Sequence, residues 1–123
     1  MEYLDVSALR GLTMTSVENL DNEELVFTVD DGRVFKLWHD QNCCEDVHIE
    51  DISGNLSDLV GSPFIQSEEV SSDPPARSAD EYVPESETWT FYKFGTAKGY
   101  VTVRWWGTSN GYYSESVDFG QFE

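Results

Sequence analysis

The chain has 123 residues, 24 of them acidic and 7 basic, giving a net charge of −17 and a pI near 4.1. That length supports one domain, residues 1–123, with one hydrophobic core and no need of disulfide staples, and an aromatic share of 14% excludes a wholly disordered chain. So strong a negative charge excludes direct nucleic-acid binding and disfavours an anionic membrane surface; a protein partner with a basic surface is attracted instead.

Residues 1–12 form either a short helix or an irregular lead-in. Leu12 to Val17 and Leu25 to Val29 read as strands, rich in β-branched and apolar residues. Asp30, Asp31 and Gly32 turn the chain, and Arg33 to Trp38 returns as the next strand, a hairpin signal. His39 leads a loop into a strand at Asp46 to Ile52, which Gly54 breaks. Asn55 to Val60 suits one helical turn with Asn55 as its N-cap, and Phe64 to Val70 reads as another strand. Residues 71–87 then change character: three prolines, four serines and five carboxylates predict a flexible acidic loop.

Thr88 to Phe94 is predicted as a strand and Gly95 to Gly99 as a turn. Tyr100 to Trp106 alternates, with Val101, Val103 and Trp105 on one face. Asn110-Gly111 signals a turn, and Tyr112 to Phe119 would complete a three-stranded meander. The expected fold class is mainly β with minor α (α+β): an antiparallel sheet with a C-terminal three-stranded meander and one or two short helices.

No apolar run approaches the length of a membrane-spanning helix. The opening MEYLDVSALRGLTM has no basic stretch leading into an apolar one, so no signal peptide is expected. Cys43 and Cys44 are adjacent and cannot staple distant segments, which points to a reducing, cytosolic compartment.

The stretch from His39 to His48 reads H-x3-C-C-x3-H. Thiolates and imidazoles are the preferred ligands of Zn²⁺, so His39, Cys43, Cys44 and His48 are candidate ligands of a structural zinc. Adjacent cysteines point to opposite faces of an extended strand, so a shared ion would require a kinked loop. Two reduced cysteines packed as small apolar residues, with the histidines on a polar rim, are the plain alternative, and a vicinal disulfide is a third. Catalysis by a Cys–His pair is not expected: nothing marks an oxyanion site, and neighbouring carboxylates raise a thiol pKa. No metalloprotease, P-loop or nucleophile-elbow motif is present. The chain reads as a non-enzyme.

Thirteen carboxylates and one base, Arg77, fall between Asp40 and Glu87, so this stretch carries −12 of the −17. Such a run is either a solvated face or the receptor for a basic partner. Glu45, Asp46, Glu50, Asp51, Glu68 and Glu69 are the candidate partner-binding carboxylates. Trp105, Trp106, Tyr112 and Tyr113 crowd the Asn-Gly turn. Adjacent strand residues face opposite sides, so these aromatics either pair across the strands to stabilise the hairpin or, at Trp106 and Tyr113, are candidate aromatic contacts with a partner.

The blocks HDQNCCEDVHIEDISGNLSDLVGSP and WTFYKFGTAKGYVTVRWWGTSNGYYSESVDF resemble a small family of uncharacterised domains encoded by phages and prophages. The resemblance supplies context rather than an activity. A small acidic phage protein is similar in kind to anti-defence inhibitors, including anti-CRISPR proteins that block type II effector nucleases, whose channels are positively charged. It implies an inhibitor acting in the host bacterial cytoplasm by stoichiometric occlusion of DNA loading, with a structural zinc at His39, Cys43, Cys44 and His48. The rival reading is a zinc-stabilised phage accessory or structural interaction module without inhibitory role.

Overall fold

The computed structural model describes residues 1–71 and 83–123. Nine strands form within them: β1 (Glu2–Tyr3), β2 (Met14–Leu20), β3 (Glu24–Val29), β4 (Val34–Trp38), β5 (Asp46–Ser53), β6 (Gln66–Ser71), β7 (Ser86–Thr96), β8 (Gly99–Ser109) and β9 (Asp118–Gln121). They pair antiparallel in two sheets. One has the order β1-β9-β4-β3-β2 and the other β5-β8-β7-β6. The second is a Greek-key arrangement: β6, β7 and β8 run as a meander, and β5 returns beside β8.

Period-two patterning explains why these segments pair and which faces they bury. Leu25, Phe27 and Val29 of β3 and Phe35 and Leu37 of β4 face inward, and so do Tyr92 and Phe94 of β7 and Val101, Val103 and Trp105 of β8. All belong to one buried cluster, so the two sheets close face to face over a shared core. Phe27 stands edge-on to Phe94 at 5.3 Å between ring centres, across the gap between sheets.

Two turns shape the sandwich. In β2–β3, Asp21 and Asn22 both take positive φ (55° and 60°), and the Glu23 amide donates to the Leu20 carbonyl. This is the type I′ geometry that matches strand twist, tolerated by Asp and Asn at low cost. The Asn22 carbonyl then accepts from the Ile49 amide at 2.7 Å, tying the tip of one sheet to β5 of the other. At the end of β5, Gly54 has φ 105°, and a Cβ there would lie 2.5 Å from the Tyr100 carbonyl oxygen.

The α+β expectation is overturned: among the described residues the only helical pieces are single 3₁₀ turns at Val6–Leu9 and Leu56–Leu59. Asn55 does cap the second, accepting from the Ser57 amide at 3.0 Å. The turn stops at Val60, whose backbone is already extended, and Gly61 follows at φ 86°. Too few residues lie between β5 and β6 for a helix to nucleate and pack.

The predicted C-terminal meander is corrected as well. β7 and β8 pair over their full length through a tight turn at Ala97-Lys98, with Thr96 opposite Gly99. The third strand of that sheet is β6, not the segment after Gly111. Residues beyond Gly111 fold back instead, because Glu115 is drawn inward: Thr88 Oγ1 donates to its carboxylate at 2.8 Å, and so does Ser109 Oγ. Gly107 leaves room for this, since a Cβ there would sit 2.7 Å from the Glu115 carbonyl oxygen. The chain then crosses to the other sheet, where β9 pairs with β4 and β1. Most of the predicted loop 71–87 lies outside the described residues, and its end is already strand from Ser86.

Gly54→Ala should destabilise the domain by about 1–3 kcal/mol, since it combines a strained φ with a backbone collision. Gly11→Ala is the control: φ is also positive (80°), but no atom lies within 4 Å of the added carbon. Thermal denaturation of both variants measures the difference, and the larger loss is expected at Gly54.

Candidate functional site

The loop between β4 and β5 holds most of the residues singled out from sequence. Its centre is Glu45, a buried carboxylate with 4% of its surface exposed. It accepts hydrogen bonds from the Asn42 amide at 2.5 Å, the Cys43 amide at 3.3 Å and His39 Nε2 at 3.1 Å. Gln41 Nε2 closes the loop from the other side by donating to the Glu45 carbonyl at 2.6 Å. The Asn42 amide is the largest cause that holds the Glu45 carboxyl down, at about 2 against an ordinary 4.5; desolvation opposes it and His39 reinforces it.

His39 is the second clamp. Its Nδ1 lies 2.7 Å from the Ser116 carbonyl and its Nε2 faces Glu45. Both neighbours are acceptors, so both bonds form at once only with the imidazolium. The ring thereby joins the β4–β5 loop to the segment that leads into β9.

Cys43 and Cys44 are exposed at the tip of this loop and are bonded to each other as a vicinal disulfide. His48 lies on β5, its Nδ1 3.0 Å from Asp46 Oδ1 and its ring edge-on to Trp106 at 6.1 Å. The two histidines therefore serve separate partners. Among the described residues, no group of three or more His, Cys, Asp or Glu side chains is placed to hold a metal ion.

Of the remaining candidates, Glu50 and Trp106 lie on the outward face of β5-β8-β7-β6. Trp106 stacks on Trp89 at 5.3 Å, and both indole N–H groups donate to Glu87 Oε1, at 3.2 and 2.7 Å. Arg104 sits over Trp89 at 5.4 Å and pairs with Glu50 at 2.5 Å. Asp51 is exposed and lies opposite Arg104 across the β5–β8 register. Glu68 and Glu69 occupy the far edge, β6. Glu68 accepts from Gln66 Nε2 at 2.9 Å, and Glu69 accepts from the buried Tyr92 hydroxyl at 2.7 Å. Burial and the Glu69 charge push that hydroxyl well above its ordinary pKa. Tyr113 lies apart, half-buried in the irregular segment after β8.

Of the predicted partner carboxylates, then, Asp46 and Asp51 stand exposed on one edge and face, and Glu50 is spent on Arg104. Glu45 turns inward. Nothing in the sequence distinguishes Glu45 from its exposed neighbours, because its burial depends on amides of its own loop. Sequence reasoning also missed the outer face of the other sheet, where Tyr3 stacks on Trp38 at 5.8 Å and Trp38 meets Phe122 edge-on at 5.0 Å. These aromatics are scattered through the chain, and β1 and β9 are too short to carry a strand pattern of their own.

Residues 7–119 match the family described as a domain of unknown function, DUF7448. The chain belongs to that family. No curated protein and no solved structure matches it. Membership in DUF7448 thus covers nearly the whole sandwich, from the first 3₁₀ turn into β9, and leaves function to be argued from the chemistry of the surface.

The Glu45 clamp carries a pH signature. A carboxyl held low in the folded state favours folding above its ordinary value, and that contribution drains away as pH falls from 4.5 toward 2. Glu45→Gln should lower thermal stability near neutral pH and flatten the decline in that acid window relative to wild type. Melting curves of both proteins across the window check this.

Proposed function

We propose that this domain is a non-catalytic binding protein that occludes the basic surface of a nucleic-acid-handling protein in a bacterial cytoplasm. The favoured partner class is a CRISPR-type effector nuclease, blocked from loading DNA by stoichiometric occupation.

The observation that carries the reading is the charge of −17 displayed on a two-sheet scaffold on which four of the six bases among the described residues have a partner within the chain. Among the described residues, Arg33 pairs with Asp31, Lys36 with Glu24 and Arg104 with Glu50. Lys98 donates to the Val60 carbonyl at 2.7 Å. Carboxylates such as Asp46, Asp51, Glu18, Glu23 and Asp30 remain exposed. A field of one sign on a preorganised surface steers a basic partner and repels phosphate. No helix among the described residues is long and apolar enough to cross a membrane.

The test is titration of purified domain against a type II effector loaded with guide RNA, with target-DNA binding read by gel shift. Loss of DNA binding is expected at about one domain per effector, and weaker inhibition as salt rises. No effect at large molar excess overturns the proposal.

A further inference from the structure

The five-stranded sheet has an outer face of its own. Tyr3 of β1, Trp38 of β4 and Phe122, just beyond β9, form a continuous aromatic stripe across it. The stripe is not covered: Tyr3 is 59% exposed, Phe122 39% and the adjoining Met1 60%. Gly120 allows the close approach of β1, since a Cβ there would lie 2.6 Å from the Glu2 carbonyl oxygen. Exposed aromatics gathered in one place are the usual mark of an interaction surface.

Beside the stripe is a cavity of about 260 Å³ lined by Glu23, Glu24, Lys36, Trp38, His39 and Phe122. Lys36 already occupies part of it, its ammonium 4.6 Å from the Phe122 ring centre and 3.4 Å from Glu24. A cation over an aromatic ring, backed by a carboxylate, is thus the contact this cavity makes within its own chain. Trp38 is held in place from below, its Nε1 donating to Asp40 at 2.7 Å, and Tyr3 donates to the same carboxylate at 3.2 Å.

We infer that this cavity receives an arginine or lysine side chain from a basic segment of a protein partner, which lies along Tyr3, Trp38 and Phe122. The inference rests on the basic-partner reading above and places its contact on the sheet opposite Trp106. Charge complementarity selects the occupant. A protein of net charge −17 repels its own copy, and nucleic acid is repelled likewise. A guanidinium or ammonium finds the Phe122 ring, where Lys36 already sits, and the Glu23 and Glu24 carboxylates. Lys36 is the resident competitor for that place.

The experiment titrates the full chain with a short arginine-rich peptide at low ionic strength, by calorimetry and by the NMR signal of the Trp38 indole N–H. Phe122→Ala and the double variant Glu23→Gln/Glu24→Gln are expected to weaken binding about three- to tenfold, the range of a partly desolvated cation–π contact. Lys36→Met is expected to tighten it by removing the competitor, which a merely structural role would not do. Asp46→Asn/Asp51→Asn removes the same two charges from the other sheet and is expected to have a smaller effect. If the peptide binds but the pocket variants change affinity no more than this control, the cavity is overturned while the basic-partner reading stands. If wild type fails to bind at all, both fall. Self-association in sedimentation that Phe122→Ala abolishes assigns the stripe to a second copy and overturns the inference.

Discussion

Phe27 meets Phe94 from the facing sheet and also touches Phe64 and Phe119, at 6.2 and 6.4 Å between ring centres. This one ring joins residues from three distant parts of the chain. A surface carrying −17 pushes the fold apart, and the opposing force is burial of apolar area between the sheets. Truncation of a buried phenylalanine costs about 3–5 kcal/mol, comparable to the entire stability of a small domain. Every surface feature described here is positioned by strands that this contact holds in register.

The polar interior works in the same direction. Glu45 and Glu115 are buried carboxylates, each satisfied by donors from nearby backbone or hydroxyl groups. Each fixes an irregular segment next to a strand end: Glu45 the loop before β5, Glu115 the return after β8. His39 links the two, since it touches Glu45 and the carbonyl of Ser116. A buried charge without such partners would cost several kcal/mol, so these contacts hold the two irregular segments in place. The exposed cysteines are therefore carried on an ordered loop.

Strands with clean alternation were legible in the sequence. The face of Val101, Val103 and Trp105 was read correctly, and so was the hairpin through Asp30, Asp31 and Gly32. Local pattern fixes such elements because every second side chain meets the same core. The path after Asn110-Gly111 was not legible. Its turn signal is real, with Gly111 at φ 93°, but Glu115 binding to Thr88 overrides the hairpin it suggests. β1 and β9 were missed because they are short and gain their pairing from each other and from β4. The aromatic stripe on the outer sheet was hidden for the same reason: Tyr3 and Phe122 become neighbours only when those strands pair.

The hydrogen bond from the Ile49 amide to Asn22 also bears on how chains meet one another. β5 is an edge strand, and an edge with free amides invites another strand to extend the sheet. Here the hairpin tip occupies one of those amides, and an irregularity between Ile49 and Asp51 bends the backbone just beyond it. Asp46 and Asp51 carry negative charge on the same strand. β5 is thereby a poorer template for strand addition, which works against crowded copies of this protein growing into a continuous sheet along that side.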